Sequence, residues 1–248
     1  MLISIITATY NSIDFIDRTY QSILDQSYTN WEWLITDDCS FDGTYEKLLL
    51  LAEKDCRIKV FKNEVNSGAA VSRNKSISSA KGRYLAFIDS DDVWHPKKLE
   101  LQIDFMSDEV VFSFTPYQII SENDTFLGKV VDKDNVSFVG YKDMLKKEAT
   151  LGCSTVMLDL ERFSNLQMPN LRTGQDYACW LMLLRQGNKA YCLNEVLTSY
   201  RITAGSISRN KLKKAKRQWQ IYREVEGLDY INSFHNFVYY ALRAVFRK

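Results

Sequence analysis

The sequence predicts an α/β fold: a Rossmann-like, mostly parallel sheet flanked by helices, with a helical extension at the C-terminus. Three observations lead there. Short apolar runs alternate with helical patterns up to about residue 105, and the loops between them are short. Three of these runs end in polar motifs, Thr9-Tyr10-Asn11, Asp37-Asp38 and Asp89-Ser90-Asp91-Asp92. In an open parallel sheet, the carboxyl ends of the strands share one edge, and ligands bind there.

Ile3–Ala8 reads as the first strand. A helical pattern follows from Ser12, with Phe15, Ile16, Thr19, Ile23 and Leu24 on one face. Trp31–Ile35 is the second strand. Phe41-Asp42-Gly43-Thr44 then turns into a helix with Tyr45, Leu48, Leu49 and Ala52 inward. Ile58–Phe61 is the third strand, and Asn66-Ser67-Gly68 opens a helix whose apolar side is Ala70, Ile77 and Ala80. Lys81-Gly82 closes it, with Gly82 expected just past the helix end. Tyr84–Ile88, five apolar residues in a row, reads as a buried strand, and Lys97–Met106 as a helix.

After about residue 107 the alternation weakens. Val110–Phe114, Tyr117–Ile120, Phe126–Val131 and Gly152–Leu158 read as strands, with Asn123-Asp124 as a turn. Tyr177–Arg185 is a helix stopped at Gln186-Gly187. Residues 206–226 form a basic helix with Leu212, Ala215, Trp219, Tyr222 and Val225 at near-helical spacing. Asp229–Lys248 carries an apolar stripe of Ile231, Phe234, Val238, Leu242 and Val245. This divides the chain into a main domain, 1–205, with halves 1–106 and 107–205, and a helical appendage, 206–248.

Composition removes several function classes. Hydrophobic residues make up 46% of 248 residues, enough for a full core and too many for global disorder. Lys+Arg 32 against Asp+Glu 31 gives no support to a nucleic-acid partner. The charge is unevenly placed, however: Arg209–Arg223 holds seven basic residues and no acid. Five cysteines at scattered spacings, with no CxxC pair, argue for reduced thiols in a cytoplasmic protein. The N-terminus lacks a basic n-region, and no run approaches the roughly 18 apolar residues of a membrane span. Only His95 and His235 are present, which makes His-based metal sites and Ser-His-Asp catalysis poor explanations.

The acidic cluster after Ile88 carries the most chemistry. Three carboxylates at the end of a buried strand repel one another, and a cation or a proton relieves that repulsion. Oxygen-only ligands favour a hard ion such as Mg²⁺ or Mn²⁺. The alternative is a solvated turn with Asp92 capping the next helix.

Taken together, ISIITATYN, QSYTNWEWLITDDCSFDGT, NSGAAVSRNKSISSAKGRYLAFIDSDDVWHPKKLELQ and TGQDYACWLMLLRQG resemble family 2 of the nucleotide-sugar glycosyltransferases, which have the GT-A fold. The pieces occur in the family's order. Within it the chain looks most like bacterial enzymes that build O-antigen, capsule or teichuronic-type polymers. The resemblance implies a nucleotide-binding half, 1–106, and an acceptor-binding half, 107–205. Thr7, Thr9 and Tyr10 would line the nucleotide pocket, and Asp38, with Asp37 beside it, would accept the uracil N3–H. Gly68 to Asn74 would pass close to the nucleotide, with Arg73 anchoring the loop or meeting phosphate. Asp89, Ser90 and Asp91 would form the DxD motif, Asp91 contacting a divalent Mn²⁺ or Mg²⁺ and Asp89 the ribose or metal. Arg201, ahead of Ser206-Ile207-Ser208, would reach the diphosphate; a structural ion pair is the competing role.

Asp176 would be the general base on the acceptor hydroxyl. The family usually has a Glu-Asp pair here, but Gln175 precedes Asp176, so one carboxylate remains; an N-cap role is compatible with either reading. The implied reaction moves a hexose or N-acetylhexosamine from a UDP-sugar to a glycan acceptor, polyprenyl-diphosphate-linked, with inversion at the anomeric carbon. Residues 209–248 would dock peripherally on the inner face of the cytoplasmic membrane or on a partner subunit, a homodimer included. Two other readings stand beside this one. A nucleotidyltransferase would need a Gly-rich, basic phosphate loop after the first strand, which TATYNS is not. A catalytically silent glycan- or nucleotide-binding protein would be free to lose Asp38, Asp89, Asp91 and Asp176.

Overall fold

The computed structural model describes residues 1–133, 137–203 and 211–246. The first half runs β1 (Ile3–Thr9), α1 (Ile16–Leu24), β2 (Trp31–Asp37), α2 (Thr44–Lys54), β3 (Ile58–Lys62), α3 (Ala69–Ile77), β4 (Tyr84–Phe87), β5 (Val93–Trp94) and α4 (Lys98–Phe105). The second half holds β6 (Phe112–Phe114), β7 (Tyr117–Ile120), β8 (Phe126–Val131), β9 (Phe138–Val139), α5 (Tyr141–Leu145), β10 (Met157–Asp159), α6 (Gln175–Arg185), β11 (Ala190–Cys192) and β12 (Thr198–Arg201). The chain then continues through α7 (Lys211–Gln220), a π-helical turn (Ile221–Val225) and α8 (Tyr230–Phe246).

The main sheet has the order β3-β2-β1-β4-β10-β6-β11-β9. β3, β2, β1 and β4 are parallel, and the register sets Thr9 opposite Asp37. β10 is antiparallel to both β4 and β6. A second sheet, β5-β12-β7-β8, lies beside the end of β4.

Successive residues of the central strands enter different cores because side chains alternate across a sheet. Ile6, Leu34, Leu85 and Phe87 pack with Trp180 on one face, while Ile3, Ile5, Trp33 and Ile35 pack with Leu48 and Leu99 on the other. Covering both faces explains why these strands read as unbroken apolar runs. Trp180 lies within 5.5 Å, centroid to centroid, of both Phe87 and Phe112, so it is a core residue. Ile221 and Tyr222 of the C-terminal segment belong to the same cluster.

Several local expectations change. Leu51, not Leu49, turns inward from α2. Gly82 does not close α3, which ends at Ile77 with Ser78 as its cap. The glycine is required instead by β1, since a Cβ there would lie 2.7 Å from Leu2 O and Ser4 N. Gly152–Leu158 is not one strand: a 3₁₀ turn at Cys153–Thr155 precedes β10. The basic helix expected from 206 is described only from Lys211, and it widens to a π turn at Ile221; residues 204–210 and the Val245 side chain lie outside the described set. The α8 stripe faces outward, with Ile231, Phe234, Val238 and Leu242 all exposed. Among the described residues, no helix is long and apolar enough to cross a membrane.

Candidate active site

The parallel strands deliver their polar ends to one edge. At the end of β1, Thr9 O accepts the Asp38 amide at 2.8 Å. Asp37 is fully buried; its Oδ1 accepts Ser40 N at 2.9 Å, while its Oδ2 has no hydrogen-bond partner among the described residues. The Asp38 carboxylate organises the next loop. Its Oδ1 accepts Asn63 Nδ2 and Ser67 N, each at 2.8 Å, and its Oδ2 accepts Gly68 N at 2.7 Å. Gly68, at φ +95°, thereby starts α3 with its amide turned toward the carboxylate.

α3 carries Arg73 into the middle of this edge. The guanidinium is buried and its Nη2 donates to Asp89 Oδ1 at 2.5 Å, but Nε and Nη1 have no hydrogen-bond partner among the described residues. Burial works against this charge, yet Cys153, Asp89 and Asp176 around it hold the group above the ordinary arginine range. Thr9 Oγ1 is likewise buried and unpartnered. Buried polar atoms normally find partners. Thr9 and Asp37, opposite each other at the ends of β1 and β2, and Arg73 on α3 are thus three candidates for contact with a polar ligand.

The DxDD segment is built into the protein at every position. Asp89 N donates to Ser154 Oγ at 2.9 Å, and Ser90 Oγ lies 2.8 Å from Ser12 Oγ. Asp92 is completely buried; its Oδ1 accepts Arg201 N at 2.9 Å and its Oδ2 accepts Ser154 Oγ at 2.5 Å. It caps no helix, and the solvated-turn alternative fails with it. Burial raises the Asp92 pKa well above the ordinary carboxylate value, and the Asp91 and Asp89 charges add to this. Burial, then the Asp89 charge, also push Asp91 up to about 6.

Two expected ligand contacts take other roles. Thr7 lies wholly inside the sheet, where its Oγ1 accepts Trp33 Nε1 at 2.9 Å, so it supports the pocket floor instead of lining it. Arg201 does not reach the cleft. Its Nε donates to Asp91 O at 2.7 Å, its Nη1 donates to Ser121 O and Glu122 O, and its Nη2 pairs with Asp124 Oδ1 at 2.6 Å. Arg201 thus ties the DxD backbone to the β7–β8 turn.

Asp176 lies in the first turn of α6, half-buried, and its charge is felt by the same Arg73 that binds Asp89. Tyr10 stands at the rim, 43% exposed, with its ring edge-on to Phe41 at 6.1 Å. Phe41, 81% exposed, was not singled out in the sequence. An aromatic between the Asp37-Asp38 pair and Gly43, in a turn with no core to fill, was its signal. Arg172 was missed as well; its Nη1 would lie 3.3 Å from a Cβ placed on Gly68.

The donor set at Asp89 and Asp91 suits a hard divalent ion. Arg73 holds Asp89 Oδ1, leaving Oδ2 and the Asp91 carboxylate as oxygen donors. Among the described residues, no group of three or more His, Cys, Asp or Glu could hold a metal. A Mg²⁺-like ion needs only one or two protein carboxylates when phosphates supply further ligands.

The mostly parallel sheet with the acidic DxDD segment at its strand ends has the GT-A architecture of glycosyltransferases. The chain belongs to glycosyl transferase family 2, whose family model matches residues 4–158. It is 47% identical over 245 residues to TuaG of Bacillus subtilis, a candidate teichuronic acid biosynthesis glycosyltransferase, covering 98% of this chain and 96% of that one. It is 38% identical over 222 residues to WfgD of Escherichia coli, named as a UDP-Glc:α-D-GlcNAc-diphosphoundecaprenol β-1,3-glucosyltransferase (89% and 85% covered). The fold is shared with S. aureus TarS 1-349 in complex with UDP-GlcNAc, at TM-score 0.73 and 19% identity, over 99% of this chain and 73% of that one. It is also shared with the Pyrobaculum calidifontis mannosyltransferase PcManGT in complex with GDP-Man and Mn²⁺, at TM-score 0.71 and 15% identity, over 98% and 70% of the two chains.

Proposed function

We propose that this chain transfers a hexose or N-acetylhexosamine from a UDP-sugar to a glycan acceptor on a polyprenyl diphosphate, inverting the anomeric centre, in bacterial surface polysaccharide synthesis. The observation that carries the reading is Arg73. It binds Asp89 of the DxD segment, feels the charge of Asp176, and keeps two buried N–H groups without a hydrogen-bond partner among the described residues. Relatives named for UDP-Glc and diphosphoundecaprenol acceptors support the donor and acceptor classes.

In this reading residues 1–106 bind the nucleotide and 107–205 shape the acceptor side. Thr9, Asp37, Asp38, Gly68 and Tyr10 surround the uridine, and Phe41 adds a second ring face at the rim. Asp89 and Asp91 would hold a divalent ion, which would supply Lewis-acid stabilisation of the leaving diphosphate. Arg73 fixes the Asp89 rotamer and offers its free N–H groups to negative charge that builds during departure. Asp176 accepts the proton of the attacking hydroxyl. A single displacement inverts configuration and needs no second carboxylate as nucleophile. Residues 211–246 place the protein peripherally on an anionic membrane surface, with the basic α7 and the exposed α8 stripe toward lipid; a homodimer through α8 is the competing occupant.

The test is binding of UDP-, GDP- and dTDP-sugars by thermal shift with and without Mn²⁺, on wild type and Asp91→Ala, followed by transfer assays with Asp176→Asn. Metal-dependent stabilisation by a UDP-sugar, lost in Asp91→Ala, together with a roughly 10²–10⁴-fold fall in turnover for Asp176→Asn, is expected. Equal, metal-independent responses across the panel overturn it. Sedimentation with anionic vesicles at low salt checks the membrane contact, which fails if the protein stays in solution.

A further inference from the structure

We propose that the C-terminal segment positions the base: Arg217 and Ile221 hold the Thr173-Gly174 turn from which Asp176 projects. This rests on Asp176 being the general base and adds a role for residues that the site itself does not contain.

Asp176 is the second residue of α6, so its carboxylate goes wherever the turn ahead of it sends the first helical residues. That turn has little hold of its own. α6 has no side-chain cap, and Gly174 enters it at φ +69°. The restraint comes from outside. Arg217 Nε donates to Thr173 Oγ1 at 3.2 Å. A Cβ on Gly174 would lie 3.1 Å from Ile221 Cδ1 and 3.6 Å from Arg217 Cγ, so the C-terminal helix packs closely against the turn.

The clamp is itself anchored. Arg217 Nη1 donates to Gln220 Oε1 at 2.6 Å, and Gln220 Nε2 to Glu224 Oε2 at 2.6 Å, which orients the guanidinium. Ile221 and Tyr222 are buried in the main core. The Tyr222 hydroxyl donates to Leu145 O and that of Tyr177, the residue after the base, to Met144 O, so base helix and C-terminal segment end on neighbouring carbonyls of α5. The helix widens into its π turn at this contact. On the other side of the turn, Arg172 abuts Gly68 of the nucleotide loop. Residues 172–174 are therefore held between the nucleotide loop and the C-terminal helix, and the base is set relative to both.

The experiment uses the full chain with UDP-glucose and a synthetic GlcNAc-diphosphate-lipid acceptor. Arg217→Met and Thr173→Val should each lower kcat by roughly 10–100-fold, the scale of a misplacement of about 1 Å, with UDP affinity by calorimetry changed less than about twofold. The double variant should be no worse than either single one, and Thr173→Ser should restore turnover. Unchanged kcat in both single variants, or losses that multiply in the double, overturn the proposal. Hydrogen exchange of donor-free protein gives a readout independent of turnover: amides of residues 178–181, the first that α6 hydrogen-bonds, should lose protection in Arg217→Met, and unaltered protection overturns the clamp. Full transfer by Asp176→Asn would instead overturn the base assignment, and the two failures are told apart.

Discussion

Replacing Lys98 with methionine should stabilise the protein near neutral pH. Lys98 is completely buried on α4; its ammonium nitrogen contacts Gln102 Oε1 and lies 4.7 Å from the Trp94 ring centroid, with no carboxylate in an ion pair among the described residues. Burial lowers its pKa from 10.5 to about 7. Between those values the unfolded chain carries the proton and the folded chain does not, so stability rises with pH across that window. The gap corresponds to roughly 5 kcal/mol of folding free energy that wild type forgoes at pH 7 and recovers by about pH 10.5. Methionine removes that term but leaves Gln102 Oε1 without a donor, a loss of about 1–3 kcal/mol. The variant should therefore be about 2–4 kcal/mol more stable at pH 7, the advantage shrinking by about 1.4 kcal/mol per pH unit above it. Urea unfolding of both proteins from pH 7 to 9.5 measures this directly. A stability difference that does not vary with pH would mean that Lys98 folds charged, and the argument from burial would be refuted.

Two substitutions test the frame around the site. Gly82→Ala should destabilise by about 2–3 kcal/mol, because its Cβ meets strand backbone at 2.7 Å; Gly187→Ala, with open space but φ +91°, should cost about 1–2 kcal/mol. A reversed order in thermal denaturation would contradict the close packing at β1. Arg201→Lys removes the contacts to Ser121 and Glu122 and should cost about 2–4 kcal/mol of stability while leaving UDP affinity within a few-fold. A tenfold loss of UDP affinity without loss of stability would return Arg201 to the diphosphate.

The strand ends were legible because apolar runs of period-free composition stop at a sheet edge, and the topology then gathers Thr9, Asp37 and Asp89 without further information. What pattern could not supply was the direction of individual side chains. Thr7 and Thr9 lie two apart on one strand face, yet only the second reaches the edge; the first meets Trp33 from a neighbouring strand, a contact 26 positions away. Arg201 reads like any cation near a phosphate site until its partners, about 80 and 110 residues upstream, are known. Lys98 on an amphipathic helix looks solvated, and its burial depends on Trp94 and Gln102 closing over it. Gly82 looks like a helix stop because the sequence does not show that β1 passes above it. The C-terminal helices were readable as helices, but their seat against Gly174 was not, since it joins segments more than 40 residues apart.

The unpaired groups on Thr9, Asp37 and Arg73 have a consequence beyond chemistry. A folded chain that leaves such atoms unsatisfied forfeits stability that a polar ligand can restore, and any ligand bound only by the folded state shifts the folding equilibrium by mass action. At a hundredfold excess over its dissociation constant, such a ligand contributes about 2.7 kcal/mol, which lowers the unfolded fraction roughly a hundredfold. If the proposed nucleotide-sugar is that ligand, resistance of the folded chain to proteolysis in vitro should rise with its concentration.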